Sequence, residues 1–293
     1  MYLEAFREYL NREKKVAKNT CLAYGKDLEG FLVFNRERKK EDLAEVSNTD
    51  VVAYLLSLKR EGRSAATINR KLASIRLFYK FLISKGLVFS NPVENIKAPK
   101  TERKTVEYLS IEEVELLLGA PGDTVKGRRD RAILELLYAT GIRVNELVLA
   151  HVEDVNLRIG FFTCPGDAGK ARIVPIGGPA KEAMEAYLEN SRSMLIKEKQ
   201  EETALFVNYR GEQMTRQGLW KILREYGRQV GLEEKISPHI LRNSFAVHMI
   251  QNGADLKSLQ ELLGHEDLAT TQIYLTASKN RIKDVYDKTH PRA

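Results

Sequence analysis

Ser237-Pro238-His239-Ile240-Leu241-Arg242 opens a helix and carries chemistry on it. Proline is tolerated in a first helical turn, where its missing N–H is not needed. A helix begun there puts His239 and Arg242, three residues apart, on one face. The pair offers a titratable ring beside a fixed planar fork, a combination suited to phosphate oxygens. Such pairs are common on helices, so the weight of the stretch depends on what surrounds it.

Upstream stands Ala139-Thr140-Gly141-Ile142-Arg143-Val144-Asn145-Glu146-Leu147. Gly141 permits a break in the backbone, and Arg143 follows at the start of a new apolar run. Downstream, in Leu262-Leu263-Gly264-His265-Glu266-Asp267, Gly264 ends one helix and Asp267 can cap the next. Tyr274 comes nine residues after His265. Ile159–Cys164 and Ala171–Ile176 read as strands, and Pro165-Gly166-Asp167-Ala168-Gly169-Lys170 between them has the composition of a hairpin turn. Helices are expected near 180–196, 215–230, 238–251, 255–263 and 267–278. The predicted fold class is mainly α with a small antiparallel β-sheet.

The first hundred residues read as helices. Leu3, Phe6 and Leu10 mark a short amphipathic segment. Thr20 can cap a second helix carrying Tyr24, Leu28, Phe31 and Leu32, and Asn48 or Thr49 a third carrying Val52, Leu55 and Leu58. Ser64 or Thr67 opens a fourth, with Ile68, Leu72, Ile75, Phe78, Phe81 and Leu82 on its apolar face. The aromatics repeat with that face and are read as core. Lys59, Arg70, Lys71, Arg76 and Lys80 are the cations left free to meet phosphates. Gly86 ends the helix, and the stretch from Ser90 to Lys104 has two prolines, many charges and no periodicity. The expected division is a helical domain over 1–87, a linker over 88–105 and a second domain over 106–293, opened by the capping box Ser110-Ile111-Glu112-Glu113.

Charge separates these regions. The 293 residues carry a formal +7. Residues 1–58 hold 10 basic and 10 acidic side chains, residues 59–104 hold 12 and 3, and residues 105–293 hold 25 and 27. A one-sign excess confined to 46 residues points to a polyanion, nucleic acid above all. At 43% hydrophobic and 30% charged residues, a disordered chain is excluded. No apolar run reaches the roughly 18–20 residues of a membrane span. Met1–Arg7 is amphipathic and carries acid, unlike a signal peptide. Cys21 and Cys164 are too few for a disulfide scaffold or a zinc cluster. A cytoplasmic protein is expected.

Taken in order, A-T-G-I-R-V-N-E-L, S-P-H-I-L-R, L-L-G-H and T-T-Q-I-Y resemble the tyrosine recombinase (phage integrase) family, and within it the Xer type. Thr67–Leu72 and Phe78–Leu82 resemble the Xer core-binding domain, and His290-Pro291-Arg292-Ala293 is similar to the Xer ending. The resemblance implies a helical, SAM-like core-binding domain followed by a catalytic domain. It implies a site-specific recombinase that cuts and rejoins DNA through a 3′-phosphotyrosyl link. Tyr274 would be the nucleophile. Arg143 and Arg242 would clamp the non-bridging oxygens, His239 would take the tyrosine proton, His265 would hydrogen-bond the phosphate and Glu146 would orient an active-site partner. No metal and no cofactor is implied, because guanidinium groups supply the positive charge and the covalent link conserves the bond energy. The partners implied are a double-stranded, partly palindromic DNA site clamped by both domains, a homo- or hetero-tetramer with a related recombinase, and a DNA translocase in chromosome dimer resolution.

The chain departs from the family pattern at the hairpin. Xer proteins usually read Gly-Lys-Gly-x-Lys-x-Arg, where this chain has Gly166-Asp167-Ala168-Gly169-Lys170-Ala171-Arg172. The usual general-acid lysine falls at Asp167, which repels a phosphate and is a poor proton donor near pH 7. Either Lys170 protonates the leaving 5′-oxygen, or that step is slow. Asn243 stands where Xer proteins usually have His, and Leu275-Thr276 where they have Thr-His. The alternatives are a mobile-element integrase of the same family, a catalytically weakened architectural DNA-binding protein, and a type IB topoisomerase, against which the Xer-like first domain argues.

Overall fold

The computed structural model describes residues 2–14, 16, 18–99, 106–165, 171–197, 199, 201–265 and 270–275. Asp167, Lys170, Asp267, Thr276 and the ending 290–293 lie outside them. The chain divides into two compact units, Met1–Arg103 and Lys104–Ala293.

Among the described residues the first unit has four helices, α1 (Tyr2–Arg12), α2 (Lys18–Glu37), α3 (Asn48–Arg60) and α4 (Ala65–Ser84). Ser47 caps α3, in a capping box with Asp50, rather than Asn48 or Thr49. The Asp50 carboxylate also takes Lys40 at 2.6 Å. Lys40 and Ser47 together hold that carboxyl at about 2 against the desolvation that raises it. Helix α2 begins ahead of Thr20, which is therefore interior. Ser64 caps α4, accepting from the Thr67 N–H at 3.3 Å. The apolar positions read from sequence meet in one core. Phe6 packs edge-on to Phe78 at 5.2 Å and against Phe81 at 5.5 Å.

Two expectations change here. The stretch 88–99 is bound to the first unit rather than free of it. Val88 and Val93 are buried in its core, and the carbonyls of Pro92, Ile96 and Pro99 accept from Asn48, Arg76 and Asn69. The cations of α4 are also less free than their spacing suggests. Asp27 of α2, almost fully buried, pairs with Arg70 and, at 3.2 Å, with Lys71, and takes the Ser74 hydroxyl at 3.1 Å. A buried carboxylate needs such partners, so α2 claims two of the five expected phosphate readers. Lys59 and Lys80 are exposed.

The second unit runs α5 (Ile111–Gly119), α6 (Val125–Thr140), α7 (Val144–Leu149), a 3₁₀ turn at Val152–Asp154, strands β1 (Val155–Asn156), β2 (Phe161–Cys164) and β3 (Arg172–Pro175), then α8 (Gly178–Tyr187), α9 (Ser193–Ile196), α10 (Arg216–Gln229), α11 (Pro238–Gln251) and α12 (Leu256–Leu263). Residues 270–275 form a last helical turn. The sheet is antiparallel in the order β1-β2-β3, with Phe162 opposite Val155 and Val174. Strand β1, two residues long, is too short to show a period in sequence. A π-helical turn at Leu188–Arg192 interrupts the helix expected over 180–196. The box at Ser110 and Pro238 in the first turn of α11 are as read, and Asp255, at the start of the helix expected over 255–263, caps α12. The core joins Ile133 and Leu137 of α6, Met184 and Tyr187 of α8, Phe162 and Val174 of the sheet and Leu219 of α10. A smaller cluster joins Phe245 and Val247 of α11, Leu259 and Leu263 of α12, and Tyr274.

Candidate active site

Helix α6 stops at Gly141, which takes a left-handed conformation with φ 57°. A side chain there would be strained and would also collide, because a Cβ would lie 2.3 Å from Phe245 Cδ1. The break leaves the Gly141 carbonyl to accept from Arg242 Nη1 and starts α7 three residues later, with Arg143 as its N-cap. Glu146, in the first turn of α7, accepts the Arg143 backbone N–H at 2.6 Å and its Nη1 at 3.1 Å.

Glu146 has a second guanidinium. Arg172 of β3 donates Nη1 to Oε1 at 2.5 Å and Nη2 to Oε2 at 2.9 Å, a two-pronged pair across the carboxylate. Burial works to raise the Glu146 carboxyl, but Arg172 and Arg143 outweigh it and hold it below the usual range. The same arginines grip the end of α12. Arg172 Nε donates to the Leu262 carbonyl at 2.7 Å and Arg143 Nη2 to that of Gly264 at 2.9 Å. Gly264 is again left-handed, with φ 62°, and a Cβ on it would press on Arg172 Nη1 at 2.9 Å.

Arg242 of α11 is buried, whereas the Arg143 side chain is 42% exposed. Arg242 Nη2 donates to the Leu263 carbonyl at 2.7 Å and meets His265 Nε2 at 2.9 Å. A guanidinium only donates, so Nε2 is the acceptor. His265 Nδ1 then carries the hydrogen and donates to Thr271 Oγ1 at 2.9 Å. Burial, with Arg242, Arg143 and Arg172 nearby, pushes the His265 ring down to about 4, so it is neutral at pH 7. Burial and Arg143 push Arg242 down to about 10, where it is still charged.

Tyr274 stacks on the His265 ring, with centroids 6.4 Å apart and planes at 15°. It is 2% exposed. Its hydroxyl donates to Asn243 Oδ1 at 3.2 Å. Burial raises its phenol, and Arg242 and Arg143 pull against that. His239 is exposed at the start of α11. A cavity of about 410 Å³ gathers Arg143, His239, Arg242, His265 and Tyr274, with Ile142, Val144, Ser237, Pro238, Arg216 and Trp220.

So Arg143, Glu146, His239, Arg242, His265 and Tyr274, read from separate stretches, come together, while Lys170 lies outside the described residues. The sequence reading missed Arg172 as a partner of Glu146, Thr271 as the partner of His265, Asn243 as the partner of Tyr274, and Arg216 and Trp220 in the cavity wall. Arg172 had a signal, since it closes the hairpin motif. Asn243 stood out only as a departure from the Xer pattern and Thr271 only within T-T-Q-I-Y, with nothing to name their partners, and Arg216 and Trp220 had no signal, because helix positions facing a cleft look like any surface position until the cleft is built.

The model of the phage integrase family matches residues 107–281, and that of the phage integrase N-terminal SAM-like domain matches residues 3–86. The chain is similar to tyrosine recombinase XerD of Oceanobacillus iheyensis, with 44% identity covering 99% of this chain and 98% of that protein. It is similar to tyrosine recombinase XerD of Halalkalibacterium halodurans, with 41% identity covering 99% and 98%. Among solved structures, XerH site-specific recombinase bound to its palindromic difH substrate shares the fold, with a TM-score of 0.76 and 22% identity over 97% of this chain and 83% of that one.

Proposed function

Because the chain belongs to the phage integrase family and is a tyrosine recombinase of the Xer type, cutting and rejoining DNA at specific sites, we propose that the cavity of the second unit is its active site, with Tyr274 as the nucleophile. The observation that carries this reading is the convergence of Arg143, Arg242, His265 and Tyr274 on one cavity. The Tyr274 oxygen attacks a phosphodiester, its bond to phosphorus forms, and the bond from phosphorus to the 5′-oxygen breaks. A buried phenol with a raised pKa needs a base, and His239 in the cavity wall takes its proton. Arg143 and Arg242 hold the non-bridging oxygens of the charged transition state. Glu146 orients Arg143 from below. His265, neutral and accepting from Arg242 through Nε2, has no proton there to give. It orients Arg242, and donates to a phosphate oxygen once the anion's charge favours protonating the ring.

Lys170 is proposed as the acid that protonates the leaving 5′-oxygen. Asp167, where the family has its lysine, is the feature that favours the second reading, a DNA-binding protein weakened in catalysis. One experiment separates the two. The protein is incubated with a nicked suicide duplex carrying a Xer-type site from its own chromosome, and any covalent adduct is isolated on a denaturing gel and mapped by mass spectrometry. A phosphotyrosyl peptide containing Tyr274 is expected. Binding without an adduct supports the second reading.

The wider role proposed is chromosome dimer resolution in the cytoplasm. The partners would be a second recombinase, identical or related, in a tetramer on the DNA site, and a DNA translocase. No helix among the described residues is long and apolar enough to cross a membrane. The first unit and its basic stretch would hold the duplex through phosphates, led by the exposed Lys59 and Lys80, while Arg70 and Lys71 are paired with Asp27 and Arg76 with the Ile96 carbonyl. Lys80→Ala and Lys59→Ala are each expected to reduce the slope of log K against log salt by about 0.9. Lys71→Ala, whose ammonium is held on Asp27, should leave the slope and lower the melting temperature instead. Gel-shift titrations over a salt series check both. Equal slope losses at Lys71 and Lys80 would show that Asp27 does not restrain Lys71.

A further inference from the structure

Asn243 follows Arg242 on α11, and both ends of its buried carboxamide are used. Nδ2 donates to the Glu107 carbonyl at 3.0 Å, and Oδ1 accepts the Tyr274 hydroxyl at 3.2 Å. A carbonyl only accepts, so the Glu107 contact settles which end of the amide is oxygen. The neighbouring Ser244 ties the same leading segment, taking the Leu109 N–H on Oγ at 2.9 Å. The oxygen that meets Tyr274 is therefore anchored from behind. On the other side the phenol ring is fixed by the cluster of Phe245 and Leu263 and by the His265 stack. With ring and acceptor both fixed, the direction of the hydroxyl hydrogen is set by Asn243.

We propose that Asn243 is the positioning residue of the nucleophile: its carboxamide oxygen holds the hydroxyl hydrogen of Tyr274 and aims the attacking oxygen at the phosphate held by Arg143 and Arg242. The inference rests on the reading of Tyr274 as the nucleophile. Asn243 is neutral and exchanges no proton. In the step it serves, the bond from the Tyr274 oxygen to phosphorus forms as that from phosphorus to the 5′-oxygen breaks. As the oxygen attacks, the hydroxyl hydrogen leaves Asn243 Oδ1 and passes as a proton to His239, and the 5′-oxygen leaves as a hydroxyl with a proton from a separate acid. The charged groups acting on the phenol are Arg242 of α11 and Arg143 at the start of α7, and His265, beyond the end of α12, faces it as a neutral ring. An anion placed at position 243 would oppose both arginines.

The test uses the full-length protein and the suicide duplex, with rates of adduct formation measured from neutral to alkaline pH. Asn243→Ala is expected to slow the adduct by about 10²-fold, as a misplaced reacting atom does, with DNA affinity unchanged. Asn243→Asp, of nearly the same shape, is expected to move the pH profile about one unit to the alkaline side, because its charge disfavours the phenolate. Ser244→Ala removes the other tie to the leading segment without touching Tyr274. It is expected to lower the melting temperature and leave the profile in place. An Asn243→Ala enzyme of unchanged rate, an Asn243→Asp profile that does not move, or a Ser244→Ala enzyme with the same kinetic loss overturns the inference. Absence of any adduct from the unsubstituted protein would instead overturn the reading of Tyr274, and this inference with it.

Discussion

Replacing Arg242 with lysine is expected to slow adduct formation by about 10²–10³-fold, the effect of removing one well-placed donor to developing charge. The reason lies in how its fork is used. One prong reaches the Gly141 carbonyl, and the other the Leu263 carbonyl and His265 Nε2. These contacts fix the plane of the guanidinium before any phosphate meets it. An ammonium on a flexible stem keeps the charge and loses the plane. It also leaves a buried carbonyl unsatisfied, a cost of about 1–3 kcal/mol. Single-turnover adduct rates, read beside chemical denaturation, separate the two effects. Equal rates for the Arg242→Lys and unsubstituted enzymes would mean that charge alone suffices and that the carbonyl grip is incidental.

The largest loss of stability is expected from Glu146→Ala. Its carboxylate is buried and serves two guanidiniums and the cap of α7 at once. Removing one partner of a buried ion pair costs about 3–5 kcal/mol, which for a unit of this size lowers Tm by the order of 10 °C. The contribution has a definite sign with pH. Folding holds the Glu146 carboxyl below its ordinary 4.5, so its stabilisation is complete above about that pH and is lost as pH falls through the lowered value. Glu146→Gln should therefore flatten the acid limb of the stability curve as well as lower the plateau. If the plateau falls and the acid limb keeps its shape, the carboxylate's charge is not what holds the arginines.

What the sequence disclosed follows from the range of each interaction. Ser110 with Glu113 and Pro238 act within a turn, so those helix starts could be read directly. The apolar face of α4 could be read because Phe78 and Phe81 keep its period. Where several polar groups compete within a turn, as Ser47 does with Asn48 and Thr49, the position is ambiguous by a residue or two. Contacts between distant stretches were out of reach. Asp27 and Arg70 are 43 residues apart, and Glu146 and Arg172 are 26 apart. Nothing local marks those partners, so Arg70 and Lys71 looked free and Arg172 looked like a hairpin residue. The docking of 88–99 was hidden for the same reason, since prolines and charges conceal the two valines that anchor it. Arg143, His239, Arg242, His265 and Tyr274, which meet at the cavity, were legible through ordered motifs. Their mutual grip was not.

The left-handed glycines closing α6 and α12 have a consequence in charge rather than in shape. Arg143 and Arg242 are held at the ends of these helices by the carbonyls of Gly141, Leu263 and Gly264. Helix C-termini carry only about half a negative charge each, so they restrain a cation without neutralising it. Among the described residues, Arg143, Arg172 and Arg242 face the carboxylate of Glu146 with His265 uncharged, so this cluster keeps two positive charges in excess. A phosphodiester brings one negative charge, and its pentacoordinate transition state approaches two. The surplus thus matches the transition state better than the ground state, a preference that a tighter cage of carboxylates around the arginines would have cancelled.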